Sequence, residues 1–323
     1  MGYDIVALGE SLIDFTPEGT GPLGTPLYSQ NPGGAPANVL AMAAKLGLSA
    51  AFIGKVGEDP FGRFLQAAME GAGIDCRGLV RDPRYHTTLA FVHLNGQGDR
   101  SFSFYREAGA DRMLREEEAP AELVERCRIF HFGSVSLTGE PCRSATLSAA
   151  RRARDAGALV SFDPNYRPFL WESEEEARQS ILEALPLAGL LKVSGEEMTL
   201  LTGETGPERG AALLCSMGPE AVFVTLGEKG AYFQVPAGTG RLPAYAVSAV
   251  DTTGAGDAFL GALLAQIPGR GREALSRLTL DQWREAVRTA CAAGGLTASA
   301  RGAIPAMPGP AQIRACVAGT SVR

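Results

Sequence analysis

The stretch "VDTTGAGDAF" (250–259) sets Gly254, Ala255 and Gly256 directly before Asp257 and an apolar run. Backbone N–H groups at a helix start have no helical partner. With no bulky side chains around them they can close on an anion, which the helix dipole also favours. The charge that gathers on a phosphoryl group in transfer is such an anion. A carboxylate beside a phosphate is repelled as a ligand, but it can accept the proton of a hydroxyl attacking the phosphorus. The same residues also suit a plain helix start eased by glycine, with an acid complementing the dipole. On this stretch alone both readings stand.

Three more stretches place reactive types beside glycines. In "NPGGAPANV" (31–39), Gly33 and Gly34 allow a ligand close to the backbone, and Asn38 offers a donor and an acceptor. Asp14 follows the first apolar run and suits either hydroxyl binding or a turn. "SFDPNYRP" (161–168) brings Asp163, Asn165 and Arg167 together, as a polar pocket wall or as an Asp-Pro turn with a surface arginine. In "VTLGEKGAYF" (224–233), Thr225, Gly227 and Gly230 let a nucleotide lie against the backbone, or simply form a hairpin turn.

Other motifs are set aside. "GTGPLG" (19–24) matches GxGxxG, but Pro22 interrupts it and no helix follows. No GxxxxGK[ST] occurs. The three histidines, His86, His93 and His131, suggest no triad. The six cysteines, at 76, 127, 142, 215, 291 and 316, form no CxxC pair and have no zinc spacing, so reduced thiols are expected.

The elements that must carry these residues alternate. Apolar strands are expected at 4–10, 50–57, 129–135, 158–165, 190–194 and 221–227. Helices are expected at 38–47, 61–73, about 142–156, 174–185, 207–217, about 255–267 and 281–300. Short apolar strands with helical crossovers imply a parallel sheet covered on both faces, with function at the strand C-termini. Residues 17–34 read as turn-rich. "TTLAFVHL" (87–94) and "RSFSFYRE" (100–107) read as a hairpin around "NGQGD", a small antiparallel addition. Late strands are expected at 231–235 and 244–250.

The chain has 323 residues, 45% hydrophobic, with a formal net charge of −6. It is long enough for a sizeable core. Its mixed charges argue against a nucleic-acid binder. No basic leader or run of about 18 apolar residues is present, so a cytoplasmic protein with no membrane partner is expected.

"GGAPANVLAMAAKLG…FIGKVGEDPFG" (33–62) and "DTTGAGDAFLGALL" (251–264) together resemble the two signatures of the ribokinase/PfkB family of carbohydrate kinases. "GESLIDFTP", "SFDPNYRPFLW" and "AVDTTGAGDAF" are most similar to its fructokinases. The resemblance implies a ribokinase-like α/β fold: one Rossmann-like domain over residues 1–323, with a β-sheet lid from about 10–34 and 85–110. It implies Asp257 as catalytic base, with Gly254, Ala255 and Gly256 completing an anion hole. Asp14, Gly33, Gly34, Asn38, Arg106 and Arg167 then contact the sugar. Lys192, Ser194, Glu197, Thr225, Gly227 and Gly230 serve the nucleotide, with Glu197 acting indirectly on Mg2+. The family motif has asparagine where Ser194 stands. Asp251, Thr253 and the loop 298–303 are implied around a monovalent cation, usually K+. ATP, Mg2+, a small sugar and a homodimer formed through the lid complete the expectation. Fructose is the first substrate it implies, ahead of 2-keto-3-deoxygluconate and aminoimidazole riboside. A non-catalytic sugar sensor is the reading from another class.

Overall fold

The computed structural model describes residues 2–94, 100–107 and 109–319. In chain order its strands are β1 (Ile5–Leu8), β2 (Leu12–Thr20), β3 (Pro26–Gly33), β4 (Ala50–Gly57), β5 (Ile74–Asp82), β6 (Leu89–Leu94) and β7 (Arg100–Tyr105). They continue with β8 (Ile129–Gly133), β9 (Leu159–Asp163), β10 (Leu190–Ser194), β11 (Ala221–Thr225), β12 (Ala231–Val235) and β13 (Gly238–Leu242).

Nine of them form one sheet in the order β13-β12-β11-β10-β9-β8-β1-β4-β5. Pairing is parallel from β11 across to β5, and β12 and β13 add antiparallel at one edge. Strand period explains why these runs are almost wholly apolar. Ile5 and Ala7 pack into one core layer, Val6 and Leu8 into the other. Helices Ala35–Lys45, Ala255–Leu264 and Leu280–Ala298 cover the first face. Helices Cys142–Asp155, Glu174–Ala184 and Pro207–Ser216 cover the second. The chain leaves β1 towards β4 and β5, then returns to β8 on the other side. The crevice at the C-terminal ends of β1 and β8, where this reversal falls, is where such sheets bind ligands.

The second sheet has the order β3-β2-β6-β7. Strands β6 and β7 pair antiparallel as the sequence predicts, while their connecting residues 95–99 lie outside the described residues. The turn-rich reading of 17–34 is corrected: the end of β2 and all of β3 occupy it, paired antiparallel with an irregularity between Pro17 and Gly19. Pro26 and Pro32 fit because β3 is an edge strand, where a missing N–H leaves no ladder bond unmade. The strand expected at 244–250 is also corrected. β13 already occupies the edge of β12, Pro243 ends it, and 243–249 carries no strand. The six cysteines are free thiols, as expected.

Candidate active site

The loop before the helix Ala255–Leu264 is tied down at both ends. Val250 and Asp251 donate their N–H groups to the Ala298 carbonyl, at 2.8 and 3.1 Å. Asp251 Oδ1 accepts from the Thr253 N–H and hydroxyl, and Oδ2 accepts from the Gly302 N–H at 3.1 Å. Gly254 then turns the chain with φ +75°, and a Cβ there would sit 2.7 Å from the Ala303 Cβ. Glycine is therefore required twice, by conformation and by space. The Ala255 N–H bonds to Thr252 O at 3.2 Å. Among the described residues, the N–H groups of Gly254, Gly256 and Asp257 have no hydrogen-bond partner.

Asp257 is 6% exposed. Its Oδ2 accepts from Asn38 Nδ2 at 2.8 Å and its Oδ1 from Asn165 Nδ2 at 2.9 Å. Burial pushes its carboxyl above the ordinary range; the Asn38 amide, Lys192, Arg167 and the Asn165 amide pull it back. Asn38 stands in the first turns of the helix Ala35–Lys45. That helix has no side-chain cap from Gly34; Glu10 Oε1 takes the Ala35 N–H instead, at 2.9 Å. A Cβ at Gly34 would sit 2.4 Å from Glu10 O, and one at Gly33 would sit 2.3 Å from Asp14 Oδ2. Burial pushes Glu10 up to about 7 and Asp14 up to about 6.

Across the crevice, Lys192 Nζ pairs with Asp163 Oδ2 at 3.0 Å, both side chains buried. Burial pulls the ammonium down, but Asp163, Glu197 and Asp257 outweigh it and hold it charged. Lys192 Nζ lies over Gly256, where a Cβ would come within 3.0 Å of it. Glu197 spends both oxygens on backbone: Oε1 on the Tyr166 N–H and Oε2 on the Ser194 N–H, each at 2.7 Å. The Ser194 hydroxyl answers by accepting from the Glu197 N–H at 3.1 Å, completing a capping box.

A cavity of about 660 Å³ opens between the two sheets. Its body wall includes Asn38, Lys192, Asp251, Gly254, Gly256 and Asp257. Asp14, Thr16 and Asn31 of the small sheet, with Arg167, face them; Val92 and Phe104 make an apolar flank. Other candidates lie back from it. Arg106 is buried and holds Asp111 at 2.7 Å, the Thr138 hydroxyl at 2.7 Å and the Val135 carbonyl at 3.1 Å. Thr225 stands beside Ser194 in the β10–β11 register and bonds Val193 O at 3.3 Å. Gly227 and Gly230 form the left-handed turn that follows. Glu10 and Arg301 line the cavity without having been singled out. No spacing signals the Asp257 clamp, because Asn38 lies 219 residues away and Asn165 lies 92.

The family model "pfkB family carbohydrate kinase" matches residues 3–310. Fructokinase-1 of Oryza sativa subsp. japonica is 45% identical over 307 residues, covering 94% of each chain. The structure is similar to that of fructokinase with bound ATP from Xylella fastidiosa, with TM-score 0.90 and 32% identity over 98% of both chains. It is also similar to fructokinase from Vibrio cholerae O395 in its fructose, ADP and calcium ion bound form, with TM-score 0.86 and 34% identity over 97% of this chain and 99% of that one.

Proposed function

This chain belongs to the pfkB family of carbohydrate kinases, and we propose that it is an ATP-dependent fructokinase in which Asp257 is the base that activates the 6-hydroxyl of D-fructose. The observation that carries this reading is the floor of the cavity. A buried carboxylate held by two amides stands one residue from unpaired N–H groups at a helix start. The first can take a proton; the second can take a phosphoryl anion.

The sugar binds between the sheets with its 6-hydroxyl against Asp257. As its oxygen attacks the γ-phosphorus in line, the proton passes to Asp257. The N–H groups of Gly254, Gly256 and Asp257 and the Lys192 ammonium face the charge on the group in transfer. One such donor is worth about 3–4 kcal/mol at the transition state. Val92 and Phe104 exclude water, the competing nucleophile. Asp14 and Arg167 meet the sugar hydroxyls. Ser194 and the turn Thr225–Gly230 receive the nucleotide beyond Lys192.

No group of three acidic, histidine or cysteine side chains that could hold a metal occurs among the described residues. Mg2+ would come with ATP and would supply charge to the phosphates, and Glu197 would act on it only indirectly, by fixing the Tyr166 and Ser194 backbone. The oxygen-rich loop at Asp251 and Thr253 fits a hard monovalent cation such as K+, which when bound supplies charge that steadies the loop before Gly254. The chain acts as one kinase unit, with 10–34 and 85–110 as lid. Six free thiols support a reducing, cytoplasmic setting, and no described helix is long and apolar enough to cross a membrane.

The test is ADP release from Mg2+-ATP with K+ against fructose, ribose, 2-keto-3-deoxygluconate, aminoimidazole riboside and a blank. Turnover mainly with fructose supports the reading. Turnover mainly with another sugar moves the specificity and keeps the base. No turnover with any of them favours a sensor.

A further inference from the structure

Asn165 stands out in the backbone. Among the described residues it is the one non-glycine with positive φ, at +50°. Such conformations are strained for most side chains and persist where the surroundings over-determine them. Here they do so on every side. The Asn165 N–H bonds Asp163 Oδ1 at 3.2 Å. The next N–H, of Tyr166, is taken by Glu197 Oε1 at 2.7 Å. The Asn165 carbonyl accepts from Arg167 at 3.3 Å. The side chain, on a residue 8% exposed, donates to Asp257 Oδ1 at 2.9 Å.

We infer that Asn165 is a positioning residue for phosphoryl transfer: its amide orients the Asp257 carboxylate and sets its basicity, and the strained turn exists to deliver that amide. The inference rests on Asp257 being the base. Asn38 holds Oδ2, so a single amide would leave the carboxylate free to rotate about its last bond. The second amide, on Oδ1, fixes the plane in which a lone pair meets the sugar hydroxyl. Both amides also oppose the burial that favours the protonated acid. Glu197 gains a defined part in this arrangement. Its bonds to Tyr166 and Ser194 lock the turn to the start of the helix Gly195–Thr202, so the amide is presented from a fixed frame.

Two substitutions separate the amide from the backbone. Asn165→Gly removes the amide and relieves the left-handed strain. Asn165→Ala removes the same amide and keeps the strain. Both should lose kcat by about 10- to 100-fold. The acid limb of kcat/KM should move up by about one pH unit in both, because a buried carboxylate that loses a donor protonates more readily. Only the alanine variant should unfold at lower temperature. ATP affinity, read by calorimetry, should stay close to wild type in both. A glycine variant with wild-type kcat and an unmoved acid limb would overturn the inference. So would a kinetic loss confined to the alanine variant, which would show that only the backbone matters. Asp257→Asn, assayed alongside, keeps the two readings apart. If it retains activity, Asp257 is not the base. If it is inactive while Asn165→Gly is normal, the base stands and only the role of Asn165 falls.

Discussion

At Asp257 burial that disfavours its charge meets groups that favour it: an amide on each oxygen and the cations Lys192 and Arg167. Asp257→Asn keeps the shape and removes the proton acceptor. Turnover should fall by about 10²–10⁴-fold with ATP affinity unchanged, measured by steady-state kinetics and calorimetry. The glycines on either side of Ala255 should respond differently. At Gly254 a methyl meets Ala303 and the backbone is left-handed, so Gly254→Ala should cost about 1–3 kcal/mol of stability as well as activity. At Gly256 a methyl meets only the end of the Lys192 side chain, with no backbone in its way and no left-handed φ. Gly256→Ala should therefore leave the melting temperature nearly unchanged while lowering kcat about tenfold; equal losses in both would favour a purely structural helix start. Glu10 carries a pH dependence of its own. Burial raises its carboxyl to about 7, so the folded state binds the proton more tightly than the unfolded chain. The stability this brings is fully present below the ordinary value near 4.5 and is lost as pH rises through 7. Between pH 5 and 8 the ligand-free wild type should lose on the order of 1–3 kcal/mol that Glu10→Gln does not lose. Parallel curves for the two proteins would remove Glu10 as the source.

One contact between the small sheet and the body is an aromatic pair. Phe104 of β7 stacks on Phe169, which follows the Asn165 turn, with ring centroids 4.8 Å apart at 28°. Phe104 lines the cavity and Phe169 backs it from outside, and such a stack is worth about 0.5–1.5 kcal/mol beyond its buried area. Phe169→Ala should raise KM for the sugar by about two- to tenfold, with a smaller change in KM for ATP. It should also raise sugar-independent ATP hydrolysis, because water gains entry. A variant with unchanged KM and no added hydrolysis would show that the stack does not close the site. How far the elements were legible follows from what holds each one. The buried parallel strands announce themselves, since Ile5–Leu8 and Ala221–Thr225 must be apolar on both faces. The small sheet has one open face and an edge strand with prolines, so β2 and β3 look like turns. The stretch 244–250 alternates like a strand, yet the edge it would join is already taken by β13. At the site, glycine-rich turns mark where a ligand meets backbone. The stretch "SFDPNYRP" marks Asn165 as a pocket residue but not its partner Asp257, and Glu10 leaves no local pattern, because the fold alone brings them to Asp257 and Ala35.

At the scale of the whole molecule, the outer face of the small sheet carries a cluster of aromatic side chains, set against Phe61 of the body at one end. Phe15 stacks on Phe91 at 4.8 Å, and Tyr28 and Tyr105 meet Phe91 edge-on at 5.5 and 5.6 Å. Tyr105 remains 67% exposed. This face is the back of the same strands whose other side carries Asp14, Thr16 and Phe104 into the cavity. A second copy laid against it would cover the aromatics and brace the strands that hold the sugar. On that ground we propose a homodimer formed lid to lid, in which assembly and substrate binding are coupled. Light scattering at micromolar concentration should give twice the mass of one chain. Tyr105→Arg, which puts a charge on the edge strand of that face, beside Phe91 and away from the cavity side, should give one chain's mass and a raised KM for the sugar. Because Asp257 and its partners lie in the body, kcat at saturating sugar should fall far less than KM rises. A wild-type monomer would remove the dimer. A monomeric Tyr105→Arg enzyme with unchanged KM would keep the dimer but show that one lid closes over its sugar without the other.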